Sequence, residues 1–194
     1  MRISAKADKD YPLVARLIFW AQRKKYGETL LSSKLWGRSP KVLCGLQVLY
    51  RTLDRKGSPI EPSLRTLIGV RVSQINHCNF CMDIGEALLK QRGVPTDKVL
   101  ALASHDQSPL FSERERAALT YAEIMTTSNN RVDDGLFTRL REHFNDDAIV
   151  ELTALIAYQN MTSKFNAALD VPSQGFCNLP PSHGALSRVL PKSI

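Results

Sequence analysis

Apolar residues recur at intervals of three and four along almost the whole chain, and no stretch alternates residue by residue between hairpin turns. That periodicity confines the chain to an all-α fold. The rhythm is plainest after Pro62, where Leu64, Leu67, Ile68, Arg71, Val72 and Ile75 mark a helix that proline opens at its first position. An earlier helix is predicted from about Pro12 to Tyr26, with Leu13, Leu17, Ile18 and Ala21 on its buried face and Gly27 as its C-terminal cap. A looser stretch follows it. Ser39 and Pro40 then open a helix through Leu43, Leu46, Tyr50 and Leu53 that ends near Gly57. From Asn79 to Gln91 the pattern is helical again, stopped by Gly93 and Val94-Pro95, and Thr96 caps a short helix to about Ser104. Ser112 and Glu115 form a capping box ahead of Ala118, Tyr121, Ala122 and Met125. Asp133 or Asp134 starts a helix that ends near Asn145, and a long apolar helix runs on to about Leu169, where Val171-Pro172 stops it.

A chain of 194 residues with 43% hydrophobic content fits one globular domain with a sizeable core. No run of about 18 uncharged apolar residues would span a membrane, and the opening MRISAKADKDYPLV lacks the apolar stretch of a secretory signal. Four irregularly spaced cysteines do not make a disulfide scaffold, so a reducing, cytoplasmic setting is expected. The net charge of +7 is dispersed among acids, and its densest cluster, Arg23 to Lys25, sits at the negative pole of a helix. Neither a nucleic-acid nor a membrane partner is expected.

Chemistry concentrates in the stretch INHCNFCMDIG, Ile75 to Gly85. On a helix Cys78, Cys81, Gly85 and Leu88 share a face, and the two cysteines are near enough to bridge. Cys78 falls where one helix hands over to the next, so free N–H groups and the positive end of the dipole favour its thiolate; a cationic His77 beside it acts in the same direction. Such a thiolate is a nucleophile near neutral pH, and a second thiol three residues on can resolve a sulfenic acid or mixed disulfide. A structural zinc site needs four ligands, whereas Cys44 and Cys177 have no ligand partner two to four residues away. A thioredoxin-type motif needs a βαβ context that is missing. No metal and no cofactor are therefore expected. The plain alternative is that the pair are two small buried hydrophobes, the class to which Cys44 and Cys177 are assigned.

The run LRTLIGVRVSQINHCNFCMDIGEALL, Leu64 to Leu89, resembles the core of the carboxymuconolactone decarboxylase and AhpD-like alkylhydroperoxidase superfamily, whose redox members carry E-x(11)-C-x-x-C-x-x-x-H. The helical layout from Leu13 to about Val171 resembles its peroxidase-related members. The resemblance implies an AhpD-like bundle of about seven to nine helices: an N-terminal helical extension over residues 1–57, a core over 58–172 with the C-x-x-C motif, and an irregular tail over 173–194. It also implies a thiol-dependent peroxidase or dithiol–disulfide oxidoreductase acting through Cys78 and Cys81, a peroxide or disulfide substrate, a dithiol reductant or adaptor protein, and a trimer or hexamer of identical chains.

The chain departs from the pattern at both proton-relay positions, where Thr66 replaces Glu and Gly85 replaces His. Neither side chain can shuttle a proton, and loss of a general acid or base costs roughly 10²- to 10⁴-fold in rate. His77 is the first substitute candidate, because an imidazole ordinarily titrates near neutrality. Glu61 belongs at the start of its helix, and Asp83 and Glu86 are expected off the cysteine face, in solvent. Gly85 either opens a pocket beside the thiols or lets another helix pack closely. Gln159, Asn160, Lys164 and Asn166, polar positions in an apolar helix, are candidates to line the thiol cleft or a subunit interface. The dipole argument makes Cys78 the more acidic thiol, while the resemblance makes Cys81 the sulfur that meets peroxide. Two other functions stay open: lactone decarboxylation, which has no use for a vicinal dithiol, and a non-catalytic redox-responsive oligomer that has kept the cysteines and lost the relay.

Overall fold

The computed structural model describes residues 1–128 and 130–177. Among them all regular structure is helical: α1 Leu13–Tyr26, α2 Leu31–Trp36, α3 Pro40–Leu53, α4 Pro62–Ile75, α5 Asn79–Gln91, α6 Thr96–Leu100, α7 Glu113–Thr126, α8 Asp134–Arg141 and α9 Asp146–Ala168, with 3-10 turns at Asp8–Asp10 and Ala101–Ser104. No helix of the described residues is long and apolar enough to cross a membrane. The part of the expected tail beyond residue 177 lies outside the described residues.

Local chemistry sets most of the boundaries. Pro40 and Pro62 occupy the first turns of α3 and α4, where a missing N–H costs nothing. Ser112 and Glu115 cap each other's backbone at the start of α7, and the Asp133 and Asn145 side chains accept from Leu136 N–H and Ala148 N–H to open α8 and α9. Gly27 closes α1 at φ +84°, a conformation that costs glycine little.

Helix α4 is the axis of the fold. Leu64, Leu67, Ile68, Val70 and Val72 are all buried, and the helix packs on α5, α7 and α9. A helix covered on nearly every side has little amphipathic contrast, and here even Arg65 is buried. Its guanidinium is matched by Asp54, which accepts from Arg65 Nε at 3.0 Å and from Arg92 through both oxygens at 3.0 Å. The end of α3 is thereby pinned to the α4–α5 pair by charges that would be costly to bury unmatched.

Two N-terminal features differ from expectation. Helix α1 buries Ala15, Phe19 and Gln22, while Leu13 and Leu17, placed in the core by periodicity, are 69% and 57% exposed. The helix is apolar on two sides, and Tyr11, edge-on to Phe19 at 5.0 Å between ring centroids, together with Leu43 fixes which side turns inward. The supposedly loose stretch before Ser39 contains α2, and α3 ends at Leu53 rather than near Gly57.

Candidate redox site

Helix α4 ends by turning back on itself. His77 N–H donates to the Gln74 carbonyl at 3.2 Å and Cys78 N–H to the Ser73 carbonyl at 2.9 Å, with His77 in the left-handed region at φ +53°. This paired closure is the usual glycine-bearing helix end, made here by a histidine. It delivers Cys78 to the N-cap of α5, where its sulfur accepts from Cys81 N–H at 3.2 Å. One turn of helix then places Cys81 over Cys78 with Cα atoms 5.3 Å apart, and the two are joined as a disulfide.

The disulfide is sealed. Cys78 is 1% exposed and Cys81 7%, beneath Leu35 of α2 and Val171, with Phe165 and Phe176 packed at the edge. Trp36 stacks on Phe165 at 3.5 Å between centroids and extends this apolar wall. Asn166 of α9 brings a polar group into it: the residue is buried, donates through Nδ2 to Cys81 Sγ at 3.3 Å, and accepts through Oδ1 from the Ser32 hydroxyl at 2.7 Å.

Residues 171–177 form a strap over this end of the bundle. Asp83 holds it: Oδ2 accepts from Gln174 N–H at 2.7 Å and Gly175 N–H at 2.8 Å, and Oδ1 from Cys177 N–H at 2.8 Å. The Gln174 side chain extends the attachment to the N-terminal region, accepting from Leu31 N–H and donating to the Thr29 carbonyl. Asp83 and Glu86, expected in solvent, are 8% and 6% exposed. For Asp83 the expectation failed because the chain returns after α9 and binds a position of α5 that periodicity alone marks as free.

His77 is exposed beside the buried Cys78. Thr66 is buried in the Arg65–Asp54–Arg92 cluster, donating to the Pro62 carbonyl at 3.1 Å and accepting from Arg92. Gly85 serves close packing, since a Cβ there would lie 2.6 Å from Val70 Cγ2 of α4. Glu61 stands at the N-cap position of α4 without a side-chain capping bond and pairs instead with Arg114. Of the four polar α9 residues, Asn166 reaches a cysteine sulfur. Gln159 donates to Ser73, Asn160 links Asn76 and Thr126, and Lys164 is exposed. Cys44 and Cys177 are half-buried rather than core residues. Among the described residues no three His, Cys, Asp or Glu side chains converge as a metal site requires. Ser32 and the strap escaped sequence reasoning; a serine in an unrecognised short helix carries no signal, and the strap's only trace is Pro172 and Gly175.

The carboxymuconolactone decarboxylase family model matches residues 46–123, which contain the cysteine pair and helices α4 to α6. The protein YnjA of Escherichia coli (strain K12) is 44% identical over 169 residues, spanning 87% of this chain and 93% of YnjA. Among solved structures, an uncharacterized peroxidase-related protein from Silicibacter sp. TM1040 superposes with a TM-score of 0.80 at 24% identity, covering 94% of each chain. The debrominase Bmp8, in a variant complexed with 2,3,4-tribromopyrrole, does so with a TM-score of 0.76 at 23% identity, covering 88% of this chain and 90% of its own. These two likenesses are of fold.

Proposed function

The chain belongs to the carboxymuconolactone decarboxylase family, within the AhpD-like superfamily, and from that premise we propose that it is a thiol-dependent peroxidase or dithiol–disulfide oxidoreductase cycling between Cys78–Cys81 disulfide and dithiol. The observation that carries this reading is the bridged pair itself, set at the start of α5 with each sulfur facing an N–H donor. Lactone decarboxylation would leave such a pair without a task.

In the reaction the Cys81 thiolate attacks one oxygen of a hydroperoxide. The O–O bond breaks, an alcohol leaves with a proton from the site, and Cys81 becomes a sulfenic acid. Cys78 then attacks that sulfur as a thiolate, the S–S bond forms, and the hydroxyl departs as water after taking up a proton. A dithiol reductant or adaptor protein returns two electrons and two protons by exchange. Cys81 is assigned the first attack because it is the less buried residue of the pair, in line with the redox members of the family. His77, exposed beside Cys78, exchanges the protons with solvent. A cytoplasmic setting would keep the reductant supplied. Assembly into a trimer or hexamer is part of the reading and is supported by the apolar stripe of Leu13, Leu17 and Trp20, the last 52% exposed.

The test is consumption of an alkyl hydroperoxide by the pure protein with excess dithiothreitol, beside Cys78→Ser and Cys81→Ser. Turnover by the parent that is lost in Cys81→Ser and reduced in Cys78→Ser, where dithiothreitol alone resolves the sulfenic acid, is expected. No turnover above the dithiothreitol background would remove the peroxidase reading, and insulin-disulfide reduction then tests the oxidoreductase one.

A further inference from the structure

The donor aimed at Cys81 has more purpose than packing gives it. A primary amide nearly stripped of solvent must have its hydrogen bonds met inside the protein, and a disulfide sulfur is a weak acceptor. Asn166 is 3% exposed and nonetheless directs Nδ2 at Cys81 Sγ. Its orientation is imposed from the other side, because the Ser32 hydroxyl donates to Oδ1 and leaves the NH₂ group facing the sulfur. A donor fixed in a dry site has its largest effect when charge appears on the atom it faces. That moment comes when the disulfide opens.

We infer that Asn166, oriented by Ser32, is a positioning residue that stabilises negative charge on the Cys81 sulfur and so sets the balance between disulfide and dithiol. The inference rests on Cys78 and Cys81 being a cycling pair and goes beyond that reading by assigning a residue outside the C-x-x-C motif. It also gives the two sulfurs separate supports. Cys78 has the backbone N–H of Cys81 and the N-terminus of α5, and Cys81 has a side-chain amide from α9. Removing the amide therefore weakens the thiolate on Cys81 and leaves the other support in place, which shifts the pair toward the disulfide.

The experiment equilibrates the parent, Asn166→Leu and Ser32→Ala in dithiothreitol redox buffers. Free thiols are trapped with an alkylating agent and read by mass spectrometry on the tryptic peptide from Val72 to Lys90. Asn166→Leu is expected to favour the disulfide about tenfold, a potential about 30 mV more negative for a two-electron couple. Ser32→Ala, which frees the amide to rotate, is expected to shift it about threefold in the same direction. Far-UV circular dichroism confirms folding, and if Asn166→Leu does not fold, Ser32→Ala decides alone. An equilibrium constant within 1.5-fold of the parent in the folded variants overturns the inference. Neither readout uses peroxide, so loss of the peroxidase reading leaves this result interpretable; a pair that cannot be cycled even in the parent fails the functional reading instead.

Discussion

Reduction of the Cys78–Cys81 disulfide should be limited by opening of the strap, and Asp83→Asn tests this. The carboxylate accepts three backbone N–H groups of residues 174, 175 and 177, at 2.7 to 2.8 Å. Asparagine offers one oxygen in place of two, so its NH₂ group must face a strap N–H, donor against donor, and the remaining bonds lose their charge. With hydrogen bonds to charged groups contributing roughly 1.5–3 kcal/mol each and neutral ones about 1 kcal/mol, replacing three charge-assisted bonds by at most two neutral ones should cost the strap at least about 2.5 kcal/mol of its closed-state preference. That is roughly a seventyfold rise in the open population. Val171 and Phe176 of the strap region pack with the two cysteines, and the sulfurs' residues are 1% and 7% exposed, so a reductant must wait for the open form. When opening and closing are fast, the observed rate follows the open population.

The assay is pseudo-first-order reduction by excess dithiothreitol, quenched by alkylation at timed intervals. Asp83→Asn is expected to react roughly seventyfold faster, and Gln174→Ala, which loses the attachments to Leu31 and Thr29, several-fold faster. Equal rates in the parent and a folded Asp83→Asn would mean that reductant reaches the sulfurs by another route, and the gating argument would fall.

Gly85→Ala should lose up to about 2 kcal/mol in urea unfolding, because overpacking costs roughly 1–3 kcal/mol against a helix-propensity gain of about 1 kcal/mol; the 2.6 Å approach to Val70 Cγ2 is the cause, and Val70→Ala should offset part of the loss. A single Gly85→Ala more stable than the parent would contradict it. His77→Gly should stabilise the fold by about 1 kcal/mol, since φ +53° is strained for a residue with a Cβ, and should slow peroxide turnover. Unchanged turnover would reduce His77 to a turn residue. Burial holds the His105 imidazole below its ordinary value of 6.5, opposed by Glu123 3.6 Å away. The native state thus binds fewer protons than the unfolded chain; the contribution is present above about pH 6.5 and is lost as pH falls. Melting temperature should therefore drop less between pH 7 and 5 in His105→Gln than in the parent, and parallel profiles would refute the assignment.

What could be read from the sequence was chemistry with short reach. The capping box of Ser112 and Glu115, the glycine stop at Gly27 and the bridging of cysteines three apart each involve partners within one helical turn. The facing of α1 was not of this kind. Leu13 and Leu17 against Ala15 and Phe19 is a choice between two apolar stripes, and Tyr11 and Leu43 make it from outside the helix. Asp83 is more remote still, since its partners lie 91 to 94 residues along the chain. Asn166 was half legible: amide polarity in an apolar helix marked it as a candidate, but Ser32, which orients it, sits 134 residues away.

The two missing relay residues are best understood through their neighbours. At position 66 the space beside the backbone belongs to a charge network in which Arg92 contacts both Asp54 oxygens and the Thr66 hydroxyl. A glutamate placed there would be drawn to Arg92, in competition with Asp54, before it could serve a sulfur. At position 85 the volume a histidine would need is filled by Val70, itself 1% exposed. Restoring the relay therefore requires changes at Arg92 and Val70 as well as at Thr66 and Gly85. Helices α4 and α5 are closed around the relay positions. In the proposed cycle proton handling falls to groups at the sealed end of α5, with His77 the exposed one among them, and Ser32 and Asn166 bear on charge without transferring a proton themselves.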